Sequence, residues 1–235
     1  MSPRPRRRVL HTADLHIGTA GDDGCRSLAA VTALAAVSRV DLLVIAGDLF
    51  DHNKVEAGLV GAVAAELRRL PVPVVILPGN HDCLAPGSVY EHRAFRDGQG
   101  SIFLMHEPAG GWLHLPELDI SLWGRPFDSH DGDVRPLAGL PLAPPDGRWH
   151  VALGHGYFVD GGGPVLFPSY HISRRDIERP GWDYLALGHV PVFRCVSREP
   201  VPAYYCGSPP LTGTVALVEL DDGGVRVSRG TLLMR

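Results

Sequence analysis

The chain has 235 residues, of which 45% are hydrophobic and 20% charged, with a formal net charge of −4 at pH 7. That balance suits a globular chain able to bury a core, and no apolar run approaches the roughly 20 residues that span a bilayer, which excludes a membrane span. A mildly acidic chain has no global nucleic-acid-binding footprint. Cys25, Cys83, Cys195 and Cys206 have no C-x-x-C spacing, so they support neither a disulfide scaffold nor a zinc knuckle.

The start, Met1 to Arg8, is basic, but only Val9 and Leu10 follow before His11 and Thr12. A signal peptide needs an apolar stretch of about 7–15 residues there, so a cytoplasmic location is expected, with residues 1–7 as a flexible basic tail. Arg8 to His11, Asp41 to Ala46 and Val72 to Leu77 are near-continuous apolar runs, the mark of strands buried on both faces. Between the first two, Cys25 to Arg39 is rich in Ala and Leu and reads as a helix. Val55, Leu59, Val63 and Leu67 then recur every fourth residue, an amphipathic helix. The first 80 residues therefore read β-α-β-α-β.

The second half changes character. Ser101 to Met105, Gly111 to Leu115 and Leu118 to Trp123 are short strands with turn residues between them, a pattern of antiparallel pairing. Pro136 to Gly147 reads as a surface loop, and His150 to Leu153 and Asp183 to Leu187 as two more buried strands. Ser173 is placed to cap a short helix through Arg179. A hairpin, Phe193 to Val196 with Ala203 to Cys206, and a last pair, Thr214 to Leu220 with Val225 to Arg229, close the chain. With helices early and strands late, the expected fold is α/β: two packed mixed β-sheets flanked by helices, in one domain over residues 1–235.

Each predicted buried strand is followed by polar residues of one chemical kind. Asp14 and His16 follow the first, Asp48 and Asp51 the second, and Asn80, His81 and Asp82 the third; the two late strands end in Gly154-His155 and Gly188-His189. Layered α/β folds place ligands outside the carboxyl ends of their strands. Taken singly, each motif also reads as a turn or a helix cap; five at successive strand ends do not. Oxygen and imidazole donors without thiolate suit Mn²⁺, Fe or Zn²⁺. Their number exceeds the need of one ion and favours two ions sharing a carboxylate.

Asp-x-His, Gly-Asp-x-x-Asp, Gly-Asn-His-Asp and two later Gly-His pairs, in this order, resemble the calcineurin-like metallophosphoesterase superfamily over about residues 8–230. The wording His11 to Gly18, Ala46 to Asp51, Tyr184 to His189 and Cys206 to Pro209 is most similar to the SbcD type of DNA repair nuclease. The resemblance implies a four-layer sandwich and a phosphoesterase with two divalent metal ions. It assigns Asp14 and His16 to the first metal, Asp48 to the bridge, and Asn80, His155 and His189 to the second. It sets His81 facing the phosphate, with Asp82 orienting the His81 ring. Asp51 reads either as a partner of a metal-bound histidine or as a helix cap near Asn53.

Two departures stand out. The last family motif is Gly-His-x-His, and here Pro191 replaces the second histidine, leaving the first metal with Asp14, His16 and Asp48; His52, His114 and His171 are available substitutes. The nuclease branch also continues into a DNA-holding capping domain, whereas the chain here ends near the core. Around the site, Tyr157, Phe158, Phe167 and Tyr170 read as base-stacking or loop-anchoring aromatics, and Arg125, Arg174 and Arg175 as phosphate contacts or solvated surface. The expected substrate is a phosphoester, either a nucleic-acid or nucleotide diester or a small monoester. A metal-impaired relative that binds without turnover is the third reading.

Overall fold

Three early apolar runs and two late ones form the centres of two sheets in the computed structural model, which describes residues 3–19, 25–96, 101–131, 134–160 and 170–233. Strands β1 (Arg7–Thr12), β2 (Leu42–Ala46) and β3 (Val74–Leu77) lie parallel, connected through α1 (Arg26–Val37) and α2 (Ala57–Arg68). Every residue of β2 and β3 is buried, as strands covered on both faces require. In α2, Val60, Val63, Ala64 and Leu67 fall at the 3–4 spacing of a single apolar stripe; in α1, Leu28, Val31 and Ala35 do the same.

Strand β4 (Ile102–Leu104) extends this sheet parallel to β3. The antiparallel pairing expected for 101–105 is thereby corrected. A parallel neighbour needs a long crossover, and the connection through the one-turn helix α3 (Arg93–Arg96) supplies it. In the second sheet β5 (Gly111–Leu115) runs antiparallel to β6 (Ile120–Gly124), which is followed in parallel by β7 (Trp149–His155). A separate parallel pair, β8 (Tyr157–Val159) and β9 (His171–Ser173), leads into α4 (Arg174–Ile177). Strand β10 (Tyr184–Gly188) then lies parallel to β7, and β11 (Phe193–Ser197) pairs antiparallel with β12 (Ala203–Cys206) at the far edge. After the short α5 (Pro209–Thr212), β13 (Thr214–Asp221) and β14 (Gly224–Thr231) return to the first sheet, where β13 pairs antiparallel with β1.

Strand alternation sorts the apolar residues into three layers. Val44, Val75, Val151, Leu153, Tyr184 and Val218 meet between the sheets. Leu43, Ile45, Val74 and Ile76 face α1 and α2, while Ala152, Leu185 and Leu187 pack outward on Ile177 and Trp182. Each large side chain so buried contributes roughly 1.5–3 kcal/mol, so the strand ends that carry the polar motifs are held between packed layers. No helix among the described residues is long and apolar enough to cross a membrane.

Three local expectations change. The basic start is not a loose tail over its described part: Arg4 pairs with Asp183 at 2.9 Å and lies 3.4 Å over the Trp149 ring, and the Trp149 indole donates to the Pro5 carbonyl. The 136–147 loop sets Leu137 and Leu140 into the outer core. Ser173 caps α4 through a reciprocal bond with Asp176, yet the helix stops at Ile177.

Candidate metal centre

The parallel strands of both sheets end at one rim. The peptide N–H of Asp14 donates to the Gly47 carbonyl and that of His16 to the Asp48 carbonyl, both at 3.1 Å, so the first two motif loops run side by side. The second sheet joins where the His155 ring meets the Ala46 carbonyl and where the His189 N–H meets the Asp14 carboxylate at 2.9 Å. Asp14, His16, Asp48 and His189 all have left-handed backbone, with φ of 54°, 47°, 52° and 92°. Such conformations are uncommon outside glycine and cluster where surrounding structure over-determines them.

Asp48, 1% exposed, is the hub. Its Oδ2 lies 3.1 Å from His155 Nε2 and 3.8 Å from His16 Nε2. Asn80 Oδ1 also lies 3.1 Å from His155 Nε2, and Asp14 Oδ1 lies 3.9 Å from His16 Nε2. Two groups of donor atoms close within 4.8 Å: His16, Asp48 and His81, and Asp48, His155 and His189. Asp48 belongs to both.

Electrostatics follows from this crowding. Burial alone would raise the Asp48 pKa, but His155 and His16 beside it hold the carboxyl well below the usual range. Burial would lower His155; the Asp48 and Asp14 carboxylates outweigh it and push the imidazole up to about 9. Asp14 is pushed up to about 6 by burial, with Asp48 adding to the rise. Burial and the charge on His155 lower His189 to about 4. A buried set of oxygens that pulls a proton onto His155 Nε2 is one that a cation can satisfy in the proton's place.

The outer nitrogens of His16 and His155 are tied down. His155 Nδ1–H donates to the Ala46 carbonyl at 2.8 Å, and His16 Nδ1 lies 3.1 Å from Asp51 Oδ1, which leaves both Nε2 atoms turned inward. Of the two readings for Asp51, the geometry supports the histidine partner. His81 takes its peptide N–H to Asp48 Oδ1 at 3.0 Å and its Nδ1–H to the Asp51 carbonyl at 2.8 Å. The expectation that Asp82 orients this ring is corrected. The Asp82 carboxylate accepts instead from Gly79 N–H, Phe50 N–H and the Tyr90 hydroxyl, and so braces the third loop from below. Burial and nearby Asp48 push Asp82 up to about 6.

Several contributors carry no spacing signal. Tyr90 braces Asp82, Ser208 donates to the Asp14 carbonyl, and the Phe127 ring packs edge-on to His155. His130 donates from Nδ1 to the Asn80 carbonyl at 3.0 Å. The candidate replacements for the ligand missing at Pro191 are not brought in. His114 bonds Ser121 at 2.9 Å and His52 accepts from the Lys54 N–H; neither these nor His171 joins either donor group among the described residues. Arg125 is tied to the Pro108 and Arg135 carbonyls, and Arg174 to Asp160 and Glu178. Phe167 lies outside the described residues.

The fold is shared with known proteins. The fold is similar to TT1561 of Thermus thermophilus, at 13% identity and a TM-score of 0.59, over 97% of this chain and 99% of that one. It is also similar to purple acid phosphatase PPD1 from yellow lupin, at 14% identity and a TM-score of 0.57, over 97% and 52%. A third likeness is to GAP50, the anchor in the inner membrane complex of Plasmodium, at 12% identity and a TM-score of 0.55, over 98% and 89%. No curated protein sequence matches the chain. The calcineurin-like phosphoesterase family model matches residues 7–193, most of the chain and every strand-end motif. The chain belongs to the calcineurin-like phosphoesterases and is a metal-dependent hydrolase of phosphoesters.

Proposed function

We propose that the protein hydrolyses phosphodiesters of nucleotides or nucleic-acid ends at a centre of two divalent ions. Asp14, His16 and Asp48 hold the first ion, and Asp48, Asn80, His155 and His189 the second. The observation that carries this reading is the Asp48 carboxylate, common to both donor groups. The donors fit such ions: two buried carboxylates, an amide oxygen, the His16 and His155 imidazoles with their outer nitrogens tied away from the centre, and His189. Oxygen and imidazole without thiolate match Mn²⁺ best, with Fe and Zn²⁺ next.

Bound there, divalent ions supply Lewis-acid polarisation of the phosphoryl oxygens and a water acidic enough to act as nucleophile near neutral pH. The chain does the rest. Asp48 and Asp14 hold the negative charge that keeps cations in place. His81, with Nδ1–H committed to the Asp51 carbonyl, has Nε2 left to hold a proton against a phosphoryl or departing oxygen. Asp51 thus steadies both His16 and His81.

The diester reading draws on the likeness of His11 to Gly18 and Tyr184 to His189 to the SbcD-type nucleases. A monoesterase for a small metabolite is the second reading, favoured by the net charge of −4. In Mn²⁺, with Asp48→Asn as control, the protein should cleave bis(p-nitrophenyl) phosphate and DNA ends faster than p-nitrophenyl phosphate and mononucleotides. Faster monoester cleavage selects the second reading. Metal-loaded wild type that turns over none of these leaves a binding protein, and the hydrolytic assignment falls.

A further inference from the structure

Beside the candidate centre, on the His189 side, the wall is aromatic rather than cationic. Tyr157 opens β8 with its residue 50% exposed, and its ring centroid lies 5.9 Å from that of His189 at 80°. Tyr170, just before β9, has its centroid 5.7 Å from His189 at 86° and 4.7 Å from Phe127 at 87°. Two large rings thus stand edge-on around one imidazole, and neither belongs to the three apolar cores.

Their placement is constrained. Tyr170 has φ +37°, a left-handed backbone that non-glycine residues rarely keep. The Tyr157 N–H donates to the Tyr170 carbonyl at 2.9 Å, which brings the two residues level. That approach needs Gly156, since a Cβ there would lie 2.1 Å from the Tyr170 carbonyl oxygen. The Tyr205 hydroxyl accepts from the Phe158 N–H and donates to the Gly156 carbonyl, both at 2.7 Å, pinning the turn from beneath. Backbone strain held by this many contacts marks a position that does more than close a loop.

Of the three arginines that the sequence singles out, Arg175 is exposed on α4 and the other two are engaged elsewhere. Arg174 is paired with Asp160 and Glu178, and Arg125 is spent on two carbonyls. A second phosphate or a carboxylate on the substrate would find no available guanidinium from either. A flat, uncharged ring would find two π-faces. We propose that Tyr157 and Tyr170 are specificity-determining residues that take the nucleobase of a nucleotide substrate whose phosphate lies on the metal centre. This rests on the phosphoester reading above and adds which part of the substrate is recognised, and by what.

The test uses matched ligands that differ only in the base. Binding of adenosine 5′-monophosphate, ribose 5-phosphate and inorganic phosphate to the Mn²⁺-loaded protein is measured by calorimetry. Wild type should bind the nucleotide about tenfold or more tighter than ribose 5-phosphate, the gain expected from stacking one base. Tyr157→Ala and Tyr170→Ala should bring that ratio towards one, while Tyr157→Phe and Tyr170→Phe should keep it. Tyr157 is the safer truncation, because its side chain is half exposed. Equal binding of nucleotide and ribose phosphate in wild type overturns the proposal, as does a preference that survives both alanine variants. If inorganic phosphate itself fails to bind, the metal-centre reading falls and this one falls with it.

Discussion

A Cβ on residue 47 would lie 2.0 Å from Nδ1 of His155. Gly47 also has φ +97°, so only a residue without a side chain lets the second motif loop press against this imidazole. The contact joins the two sheets, because His155 ends a strand of the second and donates to Ala46, the last residue of β2 in the first. Gly47→Ala should therefore drive the ring away from Asp48 and Asn80. We expect Mn²⁺ affinity to fall by about tenfold or more and stability to drop by about 2 kcal/mol or more. Calorimetric titration and denaturant melts of the variant measure both; wild-type affinity there would show that the ring is not held by this approach.

Asp51 supports two histidines through different atoms. Its carboxylate lies 3.1 Å from His16 Nδ1, whereas its main-chain carbonyl receives His81 Nδ1–H. Removing the side chain should disturb His16 most, since the carboxylate lies 3.7 Å from His81 Nδ1 while the hydrogen bond of that ring goes to the main-chain carbonyl. Asp51→Ala should weaken binding of the first ion by about 10–100-fold, the usual effect of losing a carboxylate behind a metal-bound histidine, and excess Mn²⁺ should restore most of kcat. Asp51→Asn, which keeps an acceptor oxygen, should fall between. A kcat loss that metal cannot restore would mean that the carboxylate serves the reaction more directly.

His81 has one nitrogen committed to Asp51, its side chain is 43% exposed, and it touches Asp48 through the backbone rather than the ring. On the proposed assignment His81→Ala keeps its metal and loses kcat by about 10²–10⁴-fold, the range for a proton-transfer group. Elemental analysis beside steady-state rates separates this from the other possibility that the geometry allows. Because a His81 nitrogen closes within 4.8 Å of the His16 and Asp48 donors, loss of metal in the variant would make it a ligand.

Away from the centre, His11 gives the fold a pH dependence. Its ring lies between the sheets, fully buried, with Nδ1 2.9 Å from the Tyr184 hydroxyl. Burial lowers its pKa to about 3. The folded protein therefore keeps it neutral where the unfolded chain binds a proton, below about pH 6.5. The stability this contributes is complete above pH 6.5 and is lost as pH falls towards 3. Between pH 7 and 5 the loss from this residue is about 2 kcal/mol. Urea unfolding of wild type and His11→Gln across that range should show a shallower slope in the variant by about that amount. Parallel slopes would place the His11 titration elsewhere.

The strand-end motifs are readable in the sequence because each combines a buried apolar run with polar residues at its carboxyl end, and that pairing predicts where Asp14, Asp48, Asn80, His155 and His189 converge. Partners in the supporting layer are not. Tyr90 reaches Asp82 from below the third loop and Ser208 reaches Asp14 across most of the chain, and no spacing rule relates residues that meet only through the sandwich. The pairing of β4 escapes for a similar reason. A three-residue strand has too few positions for its pattern to tell a parallel edge from a hairpin arm. Asp82 misleads in a different way: it sits beside His81 in sequence, but successive residues in a tight loop point apart, and its carboxylate turns back to Gly79 and Phe50.

Pro191 provides the sharpest test of the proposed ligand sets. Counting the shared Asp48 in both, three family-motif donors serve the first ion and four the second, so the first ion should bind more weakly and leave first on dialysis. The residue after His189, Val190, is buried and held in the outer core. The Pro191 carbonyl accepts from the Ser208 N–H at 3.3 Å, and Ser208 in turn holds the Asp14 carbonyl. Position 191 is thus tied through Ser208 to the first-metal side, and its exposed ring leaves room for a larger side chain. Proline lacks an N–H, so replacing it removes no backbone hydrogen bond. Pro191→His should place an imidazole next to Asp14 and His16 and add the missing donor. Titrating Mn²⁺ into metal-stripped protein should then show half-activation at lower Mn²⁺ in Pro191→His than in wild type, with the tighter ion unchanged. If wild type already holds two ions equally tightly and the variant binds no better, another residue, His81 or one outside both donor groups, completes the first site, and the three-donor account is wrong.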